Sequence, residues 1–143
     1  MIMYFEDFEL NRTYDISPAV IEKERMLDFA HLYDNLPLHT DEEYAKTTIF
    51  GALIAPGVMT FMSVWVKFLE HNVFGDELIA GKSTKIEWQK PVYANDVLTG
   101  KAEITALTKR NAKNGIVEIT ISAYNQNGEL VLTDVTEMIV KCK

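Results

Sequence analysis

A single cysteine among 143 residues, Cys142, leaves no disulfide framework and no thiolate metal site. Its place beside the last residue gives little reason to read it as a nucleophile. Basic residues are scarce as well. Fourteen lysines and arginines stand against 21 aspartates and glutamates, a formal charge of −7, which is the wrong sign for holding phosphate backbones over a wide face. Nucleic acid is therefore excluded as an expected partner. No stretch approaches the ~18 to 20 apolar residues of a membrane span, and the opening MIMYFEDFEL is acidic where a signal peptide would be basic. The expected location is cytoplasmic, with no membrane partner. There are no internal repeats, no low-complexity segments and no linker. What remains is a chain 48% hydrophobic and 24% charged, long enough for one domain with a real core, expected over residues 1–143.

Along the chain, Tyr4 to Phe8 alternates weakly and reads as a short strand ending in a turn, and Ser17-Pro18 punctuates the next segment. From Ile21 to Leu32 apolar residues recur at helical spacing opposite a charged side, predicting a short amphipathic helix. Pro37 disfavours helical geometry at Leu36, so Asp34 and His39 are expected on a loop. Asp41 to Ala45 reads as one polar helical turn capped by Thr40 or Asp41. From Val58 to Phe74 the sequence VMTFMSVWVKFLEHNVF is apolar over most of its circumference, so a helix of about four turns from near Pro56 to about His71 is expected, buried nearly all round. Period-two alternation then predicts strands over 78–88, 97–109, 116–125 and 129–142, joined as an antiparallel meander. A long helix wrapped by a sheet is the implied architecture.

Chemistry concentrates between Phe29 and Gly57, FAHLYDNLPLHTDEEYAKTTIFGALIAPG. A carboxylate, Asp34, and an imidazole, His39, stand five residues apart around a proline, as a site that activates water needs. Pro56-Gly57 then opens the apolar helix, whose first N–H groups suit a polarised carbonyl oxygen. The string DNLPLHTDEEYAKTTIFGALIAPG resembles the signature of MaoC-like dehydratases and (R)-specific enoyl-CoA hydratases, and IEWQKPVYANDVLTGKAEI resembles the strand and turn that follow in that family. The likeness covers nearly the whole chain. It implies an α+β hot dog fold, in which a long central helix is wrapped by an antiparallel sheet, and reversible hydration of a trans-2-enoyl thioester to the R-configured 3-hydroxyacyl thioester. Three positions depart from the pattern. Tyr33 stands where the family usually has glycine, Leu36 where it usually has asparagine, and Pro56 where the hydratases usually have histidine.

On this reading Asp34 and His39 are the catalytic pair, and the Gly57 N–H stabilises the developing oxyanion. Leu36, Pro56, Trp65 and Lys85 are the expected substrate contacts. Trp65, with Phe61, Met59 and Met62, lies at a spacing that could line an acyl tunnel but far more often belongs to a core, and the same holds for Trp88 and Tyr93. Lys82, Lys85 and Lys90, or Lys109, Arg110 and Lys113, offer charges for a coenzyme A phosphate. His31 and His71 have no metal-ligand spacing, so no metal is assigned, and no cofactor is expected beyond the coenzyme A thioester that is itself the substrate. Two alternatives stand beside the lyase: a hot dog thioesterase, and a non-catalytic acyl-CoA-binding module. A homodimer or a multiple of it is expected, since the free edge of so long a meander is otherwise a liability.

Overall fold

The computed structural model describes residues 3–143, and its architecture is the hot dog fold. In chain order come β1 (Thr13–Val20), α1 (Lys23–Tyr33), α2 (Pro37–Thr40), α3 (Glu42–Thr47) and α4 (Gly57–Leu69), followed by β2 (Leu78–Trp88), β3 (Val97–Lys109), β4 (Asn114–Tyr124) and β5 (Leu130–Lys141). One antiparallel sheet has the order β1-β3-β4-β5-β2. The core lies between α4 and the sheet. Val117, Ile119, Ile121 and Ala123 of β4 alternate inward, and Val64 and Phe68 of α4 meet that face, all of them fully buried. Phe68 is ringed by Tyr14, Trp65 and Phe74 with centroids 5.8, 5.4 and 5.9 Å away, which makes it the best-enclosed aromatic of the helix.

Several expectations need correction. Tyr4 to Phe8 is no strand: Phe5–Asp7 form a 3₁₀ turn, closed where the Asp7 carboxylate accepts the Tyr4 N–H at 2.9 Å. A strand instead runs through Ser17-Pro18. Its pairing with β3 breaks between Ile16 and Ala19, so the proline sits at an irregularity of an edge strand and costs no ladder hydrogen bond there. Only β3, β4 and β5 form a meander, because β2 pairs with β5 at the far edge. The segment between β2 and β3 is drawn across one end of the sheet by three backbone hydrogen bonds, Ala55 N–H to Val92 O, Asn95 N–H to Ile21 O and Ile21 N–H to Asp96 O, the first of them part of an isolated bridge of Ile54 with Tyr93.

The long helix is shorter and barer than its composition implies. It ends at Leu69, and Asn72 and Gly75, with φ of 49° and 63°, turn the chain into β2. Met59, Phe61, Val64 and Phe68 are buried, but Val58, Met62, Val66 and Leu69, spaced by three and four residues, form an exposed stripe. A single sheet covers one side of a helix, and this one lies nearer β1 and β3 than β2. An open groove results between α4 and β2, and β2 is exposed along almost its whole length.

Candidate active site

Local sequence positions the central pair. α1 ends at Tyr33, and Asp34 caps it with its N–H on Ala30 O at 2.9 Å. Leu36 is extended as the residue before Pro37 must be, and Pro37 opens α2 at a position where its missing N–H costs nothing. His39 is therefore carried by a helical turn, not the loop expected for it, and that turn rolls the imidazole inward until His39 is 6% exposed. Asp41 caps α3 by accepting the Tyr44 N–H at 3.0 Å, which holds the following turn in place.

The imidazole is fixed from both sides. Its Nδ1 lies 2.7 Å from Ile54 O and must donate there, since a carbonyl only accepts. Ile54 is itself held by its N–H on Leu38 O, 3.3 Å away. Nε2 is left facing Asp34 Oδ2 at 3.2 Å. With Nδ1 committed as a donor, that second contact requires a proton between carboxylate and imidazole, or a water that bridges them. The pair is thus arranged to share and pass one proton. The Asp34 side chain is 38% exposed, and it lines, together with His39, a cavity of about 460 Å³. Its other walls include Phe50, Val58, Thr60, Trp88, Lys90 and Val92, predominantly apolar surface around a small polar centre.

Gly57 also lines this cavity, at the first turn of α4. N–H groups there have no intrahelical acceptor, Pro56 offers no side-chain cap, and the helix dipole is positive at this end. Packing dictates the glycine at this position. A Cβ on residue 57 would lie 2.4 Å from Trp88 Cε2, so the space belongs to the indole. Gly57→Ala is expected to displace Trp88 at a cost of about 1–3 kcal/mol. Denaturant unfolding checks it: adding Trp88→Ala to Gly57→Ala should recover most of the loss, and strict additivity of the two substitutions would show that they do not touch.

The remaining expected contacts disperse. Pro56 precedes the helix and is buried near the cavity without being among its lining residues, and Leu36 is half-exposed and likewise outside the lining. Lys85 projects from β2 to solvent and pairs with Glu87 at 3.3 Å, away from the pair. Trp65 stacks on Phe61 and Phe68 and borders a different groove. Trp88 and Lys90 do border the cavity of Asp34 and His39, Lys90 paired with Glu129. Sequence reasoning missed Ile54 altogether, because its contribution is a backbone carbonyl and any side chain would supply it.

A family model described as a MaoC like domain matches residues 7–126. Among solved structures, one titled as a monoamine oxidase regulatory protein from Archaeoglobus fulgius superposes with a TM-score of 0.89 at 30% identity, covering 99% of this chain and 95% of that one. The (R)-specific enoyl-CoA hydratase of Aeromonas caviae is 31% identical over 115 residues, 79% of this chain and 80% of its own length. An uncharacterized Bacillus subtilis protein, YdeM, is 26% identical over 140 residues, 97% and 99% of the two chains.

Proposed function

The chain belongs to the MaoC-like domain family, and from that membership we propose that it reversibly adds water to a trans-2-enoyl-CoA, giving an (R)-3-hydroxyacyl-CoA. The observation that carries this reading is the 3.2 Å approach of His39 Nε2 to Asp34 Oδ2 at the wall of an apolar cavity beside a helix N-terminus. Water held by the pair loses a proton to it as its oxygen bonds to the β-carbon, and the pair returns a proton to the α-carbon. The carbon–carbon double bond is consumed and one water is added, so the pair ends as it began. Negative charge passes transiently to the thioester oxygen, where the first N–H groups of α4 meet it, Gly57 foremost. Leu36, where relatives of this type usually carry asparagine, offers that water no hydrogen bond.

These steps call only on acid–base groups and backbone donors, so coenzyme A enters as part of the substrate and no separate cofactor is invoked. A second copy of the chain is proposed to cover the exposed edge of β2 and the stripe of Val58, Met62, Val66 and Leu69. Incubation with crotonyl-CoA tests the reaction. Loss of the enoyl absorbance with an R product is the expected result. Release of free thiol would assign a thioesterase, and neither signal, with binding retained, an acyl-CoA-binding module. Sedimentation equilibrium of the same preparation should give twice the chain mass, and a monomer at micromolar concentration would overturn the pairing.

A further inference from the structure

Further along the groove between α4 and β2 lies a second cavity of about 330 Å³, bordered by Phe61 and Trp65 on the helix and by Gly81, Lys82, Ser83, Thr84 and Thr136 on the sheet. Behind it, fully buried, is Asp134. Thr136 Oγ1 donates to Asp134 Oδ2 at 2.6 Å, Thr84 Oγ1 donates to Asp134 Oδ1, and the two hydroxyl oxygens lie 2.8 Å apart. Burial raises the Asp134 carboxyl above its usual range, and the two hydroxyls work in the opposite direction. A buried carboxylate is costly, and an interstrand clamp could be made without one.

Proton counting gives the cluster a chemical sense. Two hydroxyls hold two protons. One is committed by Thr136 to Asp134, and that of Thr84 goes either to Asp134 or to Thr136. With Asp134 ionised, no hydroxyl proton is left for the groove, and the oxygens bordering it present lone pairs only. The two threonine oxygens are therefore acceptors, set beside Phe61 and Trp65, while Lys82 and Ser83, the donors on the same rim, are turned to Glu137.

Both cavities lie on the same groove. Gly57 borders the first and Phe61 and Trp65 the second, about 6 to 12 Å further along at 1.5 Å per helical residue. An extended acyl chain of roughly eight carbons spans that distance at ordinary carbon–carbon bond lengths. We infer that Thr84 and Thr136, oriented by Asp134, form a distal subsite that selects acyl thioesters whose far end carries a hydrogen-bond donor, such as a hydroxyl or an amide. This rests on the reading that the thioester lies at Asp34 and His39, and it adds the substrate class.

Calorimetric binding of 8-hydroxyoctanoyl-CoA against octanoyl-CoA tests it without requiring turnover. The intact protein should bind the hydroxylated ligand about tenfold more tightly, the upper range of one well-made hydrogen bond. Thr84→Val, nearly isosteric and on an exposed edge strand, should bring the ratio close to one, with the loss falling on the hydroxylated ligand. Equal affinities in the unaltered protein, or a preference that persists in folded Thr84→Val, would overturn the subsite. Crotonyl-CoA, too short to reach it, separates the two readings. Hydration of crotonyl-CoA without the preference rejects the subsite alone, and the preference without hydration rejects the proposed reaction while the subsite stands.

Discussion

Asp34→Asn and His39→Ala are each expected to lower crotonyl-CoA hydration by at least ~10²-fold, the lower end of what a positioned acid or base contributes. The two substitutions test different things. Asparagine at position 34 keeps the size of the side chain and can still donate a hydrogen bond to His39 Nε2, so the geometry of the pair persists and only the negative charge that takes the water's proton is lost. His39→Ala removes the imidazole and strands the Ile54 carbonyl that Nδ1 satisfies at 2.7 Å, a penalty on the order of 1–3 kcal/mol. A loss of rate in Asp34→Asn with unchanged circular dichroism and midpoint therefore speaks to chemistry. Turnover like that of the unaltered protein in either variant would reassign the pair to structure.

Phe68→Ala should be the most damaging substitution in the core, at about 3–5 kcal/mol. The side chain is fully buried and touches three aromatic rings from β1, α4 and the chain beyond it, so no single neighbour can collapse into the space it leaves. Against a total stability of roughly 5–15 kcal/mol, that loss is a large share of what holds the domain together. Urea unfolding checks it, and a midpoint shift worth under about 1 kcal/mol would mean that α4 is less tightly seated on the sheet than its burial implies. Phe68 faces the sheet two turns and more from Gly57, so turnover per folded molecule should fall far less than stability.

Much of this was legible in order of residues alone. The apolar run after Pro56, the period-two pattern beyond Asp76 and the turns at Asn95-Asp96 and Asn125 to Gly128 are local signals, each set by backbone preferences and side-chain spacing within a few residues. They determined a long helix, long strands and an antiparallel sheet. Asp34 and His39 were legible as a pair because Pro37 limits how the chain between them can run. Strand order was not. That β2 pairs with β5 is a contact between Leu78 and Val140 and their neighbours, far apart in sequence, and it depends on the crossing of the 89–96 segment tied to Ile21 and Ala55.

Tertiary structure also decided which faces stay bare and which side chains converge. An all-round apolar helix predicts all-round burial only if enough chain exists to cover it, and one five-stranded sheet does not suffice. The exposed stripe and the open groove follow from that shortage of surface. Trp65 and Lys85, plausible from spacing and charge, point away from the cavity of Asp34 and His39 because α4 leans towards β1 and β2 forms an edge. Trp88 against Gly57, and Thr84 with Thr136 over Asp134, arise from pairings between residues that share no local pattern. Sequence by itself determined the long helix, the strands after it and the nearness of Asp34 to His39, because those depend on short-range sterics. Only the fold decided the walls of the two cavities along the groove, because these are made where distant strands and the helix come to lie side by side.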